Sequence, residues 1–503
     1  MERQVKVPYE DALCMAGFGK YNLLMLLLCG SIIAGMSFEI FSVSYLVPGS
    51  ACELNTTSTE QGLMAGVPLI GIIATSHFWG YLADTQGRKK ILTISMTISF
   101  MAGAMASLSP HWIVLSAFKL VSSSSVSGAY AIGLTLLGEC TPRDKRNLFI
   151  ILTTSLFLLS TGIMAVITIP ILPLTFSYYI PFLDIHFNSW RLLDLIFCLP
   201  CAIGAVGVAC SFESPKYLMT VGRRDEALET LKNIFVLNTG KDRELYEVDS
   251  VVLDEESATA AKGLWASMIA QTVPLLRPPL LTNTLLLAAL FIIVFLGVNP
   301  FIVWLPYIIN AFMTSVQNGD RDMTICEMIR SSSNSSAGAD NHASCSVNAF
   351  AMTMVFSINF ILAFLNIVSS KIVSLIGRKK YFIILQLLSS IAGLVMNSVS
   401  LWIVSAILFV FYMFPIVSFG LLTTYSVDIF PTYIKAMAVC VTWMCGRVSA
   451  VVGINILKNL IENNCEAAFY IFGSVTMCGG LVGMFLPSDE KLAKRMSKGN
   501  PTP

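Results

Sequence analysis

The sequence predicts an all-α membrane protein with twelve transmembrane helices in two pseudo-symmetric six-helix bundles. Mean hydropathy is +0.73, hydrophobic residues make up 55% of the chain and charged residues only 13%, about half the share usual in soluble domains. The hydrophobic residues fall into runs long enough to cross a bilayer as helices. One short basic loop, Gly87-Arg-Lys-Lys90, recurs as Gly377-Arg-Lys-Lys380. This repetition predicts two copies of one bundle.

Composition also excludes several classes of function. The formal net charge of +1 gives no basis for nucleic-acid binding. The thirteen cysteines mostly lie in hydrophobic segments, where they are typical small core residues. The sequence offers neither a nucleotide-binding glycine loop, nor a metal-ligand cluster, nor a nucleophile–base arrangement. We therefore expect no cofactor, no metal site and no enzymatic activity.

The predicted spans form an N-terminal bundle over residues 21–211 and a C-terminal bundle over residues 281–486. Each bundle contains six hydrophobic runs of membrane-spanning length. They lie near residues 21–47, 61–84, 91–109, 112–138, 148–173, 190–211, 281–309, 349–374, 381–399, 401–425, 436–458 and 466–486.

Residues 212–280, between the two bundles, are predicted to form a cytoplasmic loop with amphipathic helices. Hydrophobic residues within this loop recur at the spacing of one helical face, which indicates packing under the bundle. That face contains Leu228, Leu231, Ile234 and Phe235.

Lysine and arginine residues concentrate in alternate connections, and residues 1–20 and 487–503 are among these basic segments. Because such residues mark the cytoplasmic side of a membrane protein, both termini are predicted to be cytoplasmic. Residues 1–20 lead directly into a full-length hydrophobic run, so we expect no cleavable signal sequence. The glycosylation sequons at Asn55 and Asn334 both fall on the outer side of this topology, in agreement with it.

The longest outer connection, residues 310–348, carries Cys326 and Cys345. A disulfide between these two cysteines is predicted, since the outer side is oxidising. Cys52 and Cys465 are alternative partners, so the pairing stays open at this point.

The duplication extends beyond the glycine loop. The spacing from Gly87 to Gly377 nearly equals the spacing from Glu139 to Asp428, and each of these acids lies where a hydrophobic run meets the inner side. Gly87 can adopt a positive φ, which permits a tight turn between spans. Internal repeats of this kind are typical of transporters, in which the substrate site lies between the repeats near the midplane.

The stretch Gly80-Tyr-Leu-Ala-Asp-Thr-Gln-Gly-Arg-Lys-Lys90 resembles the signature loop of the major facilitator superfamily. Phe212-Glu-Ser-Pro-Lys-Tyr-Leu218 resembles an element of sugar porters and organic-ion transporters within that superfamily. Through four further segments the chain resembles the synaptic vesicle glycoprotein 2 family, of which it would be a divergent relative. They are Gly17-Phe-Gly-Lys-Tyr21, Glu39-Ile-Phe41, Asn188-Ser-Trp-Arg191 and Val303-Trp-Leu-Pro306.

This resemblance implies the major facilitator fold and two cytoplasmic gates built from ion pairs. Partly exposed ion pairs contribute only about 0–1 kcal/mol each, which suits contacts that break in every transport cycle. The alternative is that they hold the bundle in one state. The first gate would contain Asp84, Arg88, Glu139, Arg143 and Glu213, and the second would contain Arg378, Asp428 and Lys435.

Ionisable residues inside a membrane are candidate functional residues because burying their charge is costly. Glu39 and Lys119 lie at matched depths, roughly 12–15 Å from the outer ends of spans 1 and 4. A Glu39–Lys119 pair would lower the burial cost of both charges. If one partner is protonated in turn, the pair couples proton movement to transport; the alternative is a static pair.

Arg447 lies near the midplane of span 11, at a position where the resembling family has a lysine. Its planar guanidinium can bind a carboxylate, sulfate or phosphate, and Lys119 adds to the positive bias. This favours an anionic or polar substrate; the alternative is an arginine held by backbone carbonyls. The family match suggests Trp304 and Phe419 as aromatic walls, although aromatic residues in membrane helices more often serve packing.

Three positions depart from the resembling family. Met36 and Thr423 stand where the family usually has acids, and Phe419 stands where it has tryptophan. The loss of two acids argues against cation binding and against proton coupling of the family type.

Together these features predict a secondary transporter of a small organic solute, anionic or polar, that works by alternating access. Its partners would be the lipid bilayer, the solute and, as a hypothesis, a coupling proton. The protein would reside in the plasma membrane or an intracellular vesicle membrane. The alternative function is that of a transporter-shaped membrane protein that serves as a binding partner without transport.

Overall fold

The computed structural model describes residues 6–252, 272–278, 280–319, 322–337, 348–430 and 435–489, and these are almost entirely helical. The first bundle and the helices that follow it are α1 (Tyr9–Met15), α2 (Lys20–Phe41), α3 (Val43–Leu54), α4 (Ser58–Gln86), α5 (Arg88–Ala106), α6 (Trp112–Val126), α7 (Ala129–Glu139), α8 (Arg143–Ile171), α9 (Ser189–Cys210), α10 (Pro215–Thr220) and α11 (Arg224–Thr239).

The second bundle repeats this pattern and adds one short outer helix. Its helices are α12 (Leu281–Asn318), α13 (Ile325–Ala337), α14 (Ala349–Ile376), α15 (Arg378–Val395), α16 (Trp402–Tyr412), α17 (Ser418–Ile429), α18 (Lys435–Asn463) and α19 (Cys465–Gly483). Three consecutive pairs, namely α2 with α3, α6 with α7 and α16 with α17, each make up one span.

By length and composition, eleven helical segments in the described residues can cross a membrane. Helix α5 falls outside that set, since it begins with Arg88, Lys89 and Lys90, which lower its mean hydropathy. With α5, the segments match the twelve predicted spans.

Local sequence explains how these helices begin and end. At the start of α4, the Thr57 hydroxyl accepts a hydrogen bond from the Glu60 amide, while the Glu60 carboxylate accepts one from the Thr57 amide, at 2.7 Å. This capping box satisfies amide groups that the first turn leaves free. The helix ends at Gly87, which has φ +103°, and the equivalent Gly377 has φ +85°. Both glycines therefore take the tight, left-handed turn that the repeated loop predicts.

Three helix pairs join the bundles: α8 packs against α14, α4 packs against α18 and, less extensively, α3 packs against α12. Across the first seam, Thr161 Oγ1 lies 2.6 Å from Asn359 Oδ1. A Cβ on Gly162 would lie 2.9 Å from Asn359 Cβ, so the small residue allows the close approach. Across the second seam, a Cβ on Gly62 would lie 2.8 Å from Asn455 Oδ1.

We call the end of the molecule with the Gly87 and Gly377 turns the glycine-turn face, and the opposite end the disulfide face. The disulfide joins Cys326, at the start of α13, to Cys465, at the start of α19, with Cα atoms 5.6 Å apart. The predicted Cys326–Cys345 pair is therefore wrong, because the fold brings the first turns of α13 and α19 together. Cys52 is also disulfide-bonded, and Cys345 lies outside the described residues.

At the glycine-turn face, the N-terminal segment packs with the segment that follows the first bundle. Strand β1 (Lys6–Pro8) pairs in parallel with a distant strand, Ser250–Val252. Helix α11 buries Leu231, Ile234 and Phe235. The Asn238 side chain of α11 donates a hydrogen bond to the carbonyl of Gly17, at 2.8 Å. This layer contacts the N-terminal bundle through α2.

Candidate substrate site and gates

The first charge cluster lies at the glycine-turn face, where α4 turns into α5. Arg88 forms ion pairs with Asp84 and Glu139, each at 3.3 Å. Both carboxylate oxygens of Glu213 accept hydrogen bonds from the Lys89 amide, at 3.0 and 3.2 Å. Glu213 thus caps the positive N-terminal end of α5. The Ser214 hydroxyl, which donates to Glu139, connects the two parts of the cluster.

Tyr217 completes this cluster from α10. Its ring centroid lies 5.0 Å from the guanidinium carbon of Arg88, and its hydroxyl donates to the Thr85 carbonyl at 3.1 Å. Burial and, secondly, the Glu213 carboxylate raise the pKa of Tyr217, so the phenol remains a hydrogen-bond donor.

Arg143 does not belong to this cluster, contrary to the prediction. It lies in the first turn of α8, is exposed, and forms no ion pair with a described residue. Arg146, one turn further along the helix, pairs instead with Glu10 of α1, at 2.8 Å. The helical rotation of α8 therefore directs a different arginine toward the protein.

The second cluster repeats the first in the C-terminal bundle. Arg378 pairs with Asp428 at 2.6 Å and with Asp489 at 2.7 Å. Asp489 also accepts a hydrogen bond from the Arg378 amide, so it caps α15 as Glu213 caps α5. The sequence prediction missed Asp489, although its place after the twelfth span matches that of Glu213 after the sixth. The side chain of Lys435 lies outside the described residues.

No ion pair or hydrogen bond between described residues joins these two clusters. The bundles are instead linked along the α4–α18 and α8–α14 seams, through Gly62 with Asn455, Thr161 with Asn359, and Asn366, which donates to the Ser155 hydroxyl at 3.0 Å. The described contacts between the halves therefore lie within the spans, and none of them joins the two clusters at the glycine-turn face.

Glu39 and Lys119 meet inside the N-terminal bundle, together with Asp194 of α9. Lys119 Nζ lies 3.3 Å from Glu39 Oε2 and 2.6 Å from Asp194 Oδ1. All three residues are buried, with at most 1% of their surface exposed. Ser122 donates a hydrogen bond to Glu39 at 2.7 Å. This buried triad, Glu39, Lys119 and Asp194, contains two carboxylates and one ammonium group.

Asp194 was missed by the sequence analysis. A carboxylate inside a hydrophobic run is itself a signal of function, and Asp194 lies in the first two turns of the sixth span.

Trp304 is fully buried where α12 packs against α18. Its indole nitrogen donates to the Ile454 carbonyl at 3.1 Å, and Lys458 Nζ lies 4.9 Å from its ring centroid. Lys458 is itself 3% exposed and pairs with Glu462 at 2.8 Å. In this arrangement Trp304 stabilises the packing of two helices and presents no open wall.

Trp443 lies beside both Phe419 and Arg447 and so connects them. The sequence analysis did not identify Trp443 as a candidate residue. Trp443 precedes Arg447 by one helical turn on α18, and its ring centroid lies 5.3 Å from the Arg447 guanidinium carbon. The Trp443 indole donates to the Thr423 hydroxyl at 3.1 Å. Phe295 of α12 lies 4.4 Å from Phe419 and 5.6 Å from Trp443 between ring centroids. We call Arg447, Trp443, Phe419 and Phe295 the arginine–aromatic cluster.

Arg447 is partly buried and makes no hydrogen bond or ion pair with a described residue. No backbone carbonyl of a described residue holds Arg447, so the alternative of an arginine held by carbonyls does not apply among these residues. The five residues predicted to bind substrate divide among three places. Glu39 and Lys119 lie in the buried triad, Trp304 lies in the α12–α18 interface, and Phe419 and Arg447 lie in the arginine–aromatic cluster.

The sequon at Asn55 lies at the end of α3 on the disulfide face. Asn55 is exposed and adopts a left-handed conformation with φ +48°. The second sequon residue, Asn334, lies within α13, and its side chain is outside the described residues. Glycosylation at both sites stays a prediction.

Residues 27–453 match the family model of the Major Facilitator Superfamily. The chain belongs to this superfamily. Consistent with that membership, its fold resembles the inward-open conformation of the xylose transporter XylE from E. coli. The TM-score is 0.69, with 14% sequence identity and coverage of 95% of this chain and 100% of that chain. A D-xylose-proton symporter structure gives a TM-score of 0.66 at 15% identity, with coverage of 94% and 99%.

Related sequences in the superfamily include synaptic vesicle glycoprotein 2B of Homo sapiens, which is 24% identical over 62% of this chain and 48% of that protein. Putative transporter svop-1 of Caenorhabditis elegans is 23% identical over 96% of this chain and 85% of that protein. The chain spans about half the length of the vesicle glycoproteins it matches. It is a multi-pass membrane protein.

Proposed function

We propose that this protein is a secondary transporter that moves a small organic solute, preferably an anion, by alternating access between its two halves. The observation that carries this proposal is Arg447, a membrane-embedded arginine without a carboxylate partner among the described residues. A cation in this position attracts an anionic group, and its planar fork suits a carboxylate or sulfate.

Other described cations also lie within the spans or at their ends. In contrast to Arg447, those that face the protein interior are each neutralised by a carboxylate. Such pairing lowers the cost of burying a charge. The pairs are Arg88 with Asp84 and Glu139, Lys119 with Glu39 and Asp194, Arg191 with Glu53, Arg378 with Asp428 and Asp489, and Lys458 with Glu462. Arg447 therefore remains available to a ligand.

The aromatic rings beside Arg447 suit the carbon skeleton of an organic solute. Trp443 and Phe419 come from two different helices and are both partly exposed. Sites for small molecules usually combine such hydrophobic walls with a few fixed polar groups. An organic anion with a hydrophobic or aromatic portion matches the arginine–aromatic cluster better than an inorganic ion does.

The buried triad supports a coupling proton. It holds two carboxylates against one ammonium group in a region sealed from solvent. Two carboxylates that share one cation favour the uptake of a proton by one of them. Glu39 Oε1 and Asp194 Oδ2 accept no hydrogen bond from a described residue, so each oxygen can carry that proton.

The two charge clusters support the gating part of the proposal, with the glycine-turn face on the cytoplasmic side. The described contacts between the bundles lie within the spans and none joins the two clusters at the glycine-turn face, which fits a transporter open to the cytoplasm. Arg88, Lys89 and Lys90 on the glycine-turn face agree with the excess of basic residues in cytoplasmic loops. A plasma-membrane or vesicle location fits this orientation.

Uptake into vesicles tests the function. Purified protein in liposomes is offered radiolabelled sugars, organic anions and organic cations, under a proton gradient and without one. We expect accumulation of an organic anion, loss of that accumulation in Arg447→Ala, and normal accumulation in the exposed control Arg143→Ala. If no solute accumulates, the transport function is wrong and a non-transporting binding partner is favoured.

A further inference from the structure

The seam between α4 and α18 is tight at one end, and further along it lie two side-chain nitrogen groups without a hydrogen-bond partner among the described residues. Near the disulfide face, a Cβ on Gly62 would lie 2.8 Å from Asn455 Oδ1, and one on Gly66 would lie 3.4 Å from Val451 Cγ1. The two helices are antiparallel, and both extend from these contacts toward the glycine-turn face. His77 of α4 and Arg447 of α18 are the polar groups that they bring to the next part of the seam.

His77 lies on the same face of α4 as Gly66, three helical turns or roughly 16 Å further along. Its side chain is partly buried, and its Nε2 atom is enclosed without a hydrogen-bond partner among the described residues. Leaving a buried polar group unpaired is costly. A ligand that supplies an acceptor would remove this cost, in the tautomer with a proton on Nε2.

Arg447 approaches His77 from the other bundle. It lies one turn from Val451 on α18, and helical side chains lean toward the N-terminus of their helix, here toward Trp443 and Cys440. The contact of the guanidinium with the Trp443 ring agrees with this direction. The Gly62–Asn455 and Gly66–Val451 contacts set the register of the two antiparallel helices, and this register places His77 level with Cys440, the residue toward which Arg447 leans.

Both groups donate hydrogen bonds, and neither has an acceptor among the described residues. An anion between them would satisfy both donors at once. The aromatic rings of Trp443 and Phe419, beside Arg447, would contact the hydrophobic part of the same molecule. A single charged group therefore has partners in both halves of the protein.

We propose that His77 is a substrate-binding residue, and that an aromatic or otherwise hydrophobic monocarboxylate bridges His77 of the N-terminal half and Arg447 of the C-terminal half. This inference rests on the proposed transport function and names its substrate class. A ligand shifts a conformational equilibrium only by binding one state better than the other. A carboxylate held from both sides adds a contact between the bundles next to their existing seam, so it favours closure of the glycine-turn face around the substrate.

The test measures ligand stabilisation of the purified full-length protein in nanodiscs. The probes are benzoate and phenylacetate, with the neutral benzamide and phenylacetamide and the cation benzylamine as matched compounds. Chloride and inorganic phosphate alone form a separate arm. We expect the carboxylates to raise the thermal midpoint and the other compounds to leave it unchanged.

Variants then identify the role of His77. We expect His77→Leu and Arg447→Ala each to weaken carboxylate binding at least about 10-fold, as loss of a charged hydrogen bond implies. The double variant should lose little more than either single variant, since both residues hold one group. His77→Gln, which keeps a donor, should retain more affinity than His77→Leu, and the exposed control His186→Leu should bind normally.

Two results would overturn the inference and separate it from the transport function. If an organic anion is transported but His77→Leu binds it normally, His77 is not a binding residue while the transport function stands. If the carboxylates do not stabilise the protein, or only the inorganic anions do, the assignment of a monocarboxylate is wrong. The transport function itself fails only if the uptake screen finds no accumulated solute.

Discussion

The guanidinium carbon of Arg447 lies 5.3 Å from the ring centroid of Trp443, one turn earlier on α18. The Trp443 indole is fixed in turn by a hydrogen bond to Thr423 of α17, at 3.1 Å. Two spans of the C-terminal bundle therefore orient the arginine that we propose to bind substrate. A cation over an aromatic face gains about 0.5–2 kcal/mol, depending on how far it is desolvated.

Replacing Trp443 should weaken substrate binding through Arg447. Trp443→Leu removes the ring, and we expect the KM of uptake to rise about 2- to 30-fold, the range that a cation–π contact implies. Trp443→Phe keeps a ring and should show a smaller effect. Thr423→Val removes only the hydrogen bond to the indole and should resemble Trp443→Phe. Equal KM values for Trp443→Leu and the unmodified protein would contradict this role.

Removing the cation of the buried triad should destabilise the protein. Lys119→Met leaves Glu39 and Asp194 buried near each other without a positive partner, a change that typically costs about 3–5 kcal/mol. We expect a lower thermal midpoint and a lower yield of folded protein in detergent. The triple variant Lys119→Met, Glu39→Gln, Asp194→Asn removes all three charges and should recover most of the stability. A single variant as stable as the unmodified protein would show that the triad charges are not strongly coupled.

Gly87 should not tolerate a side chain. Its φ of +103° strains any residue with a Cβ, and that Cβ would lie 2.4 Å from Glu213 Oε2. We expect Gly87→Ala to lower the thermal midpoint and to disturb the cap that Glu213 places on α5. Gly80→Ala is the matched control, because a Cβ there meets nothing within 4 Å in the interior of α4. The prediction fails if both variants have the same midpoint.

A bulky residue at Gly162 should prevent the halves from closing at the disulfide face. Its Cβ would lie 3.3 Å from backbone atoms of Phe356, which cannot move aside as a side chain does. We therefore expect Gly162→Leu to fold but to lose uptake, with spin labels across the α8–α14 seam reporting a longer distance. Gly420→Leu, at a position with nothing within 4 Å, should transport normally. Normal uptake by Gly162→Leu would show that the seam does not need to close this tightly.

Peptide mapping without reduction should recover a fragment that links Cys326 to Cys465. This bond joins positions that are 139 residues apart, and loss of such a link typically costs about 2–4 kcal/mol. We expect Cys326→Ser to lower the thermal midpoint, whereas Cys478→Ser, at an exposed free cysteine, should not. A linked fragment that contains Cys326 with a different partner would contradict this pairing.

Counting residues along the helices predicted how deep a side chain lies in the membrane, but it did not predict which neighbour that side chain faces. Glu39 and Lys119 were matched by their distance from the outer side, and their side chains are indeed 3.3 Å apart. The same count could not tell that both face Asp194 inside one bundle, or that Arg447 faces a different part of the protein. Depth depends only on the rise per residue, whereas the neighbour across a helix depends on how each helix is rotated and tilted against the others.

The sequence by itself determined the membrane-spanning class, the duplicated bundles and the left-handed turns at Gly87 and Gly377. These follow from hydrophobic run length and from the conformational freedom of glycine, which are local properties of the chain. Tertiary structure alone decided that Asp489 repeats the role of Glu213, that Cys465 is the partner of Cys326, and that Phe419 packs beside Trp443. Each of these contacts joins different elements of the chain, and the packing of the whole bundle selects it.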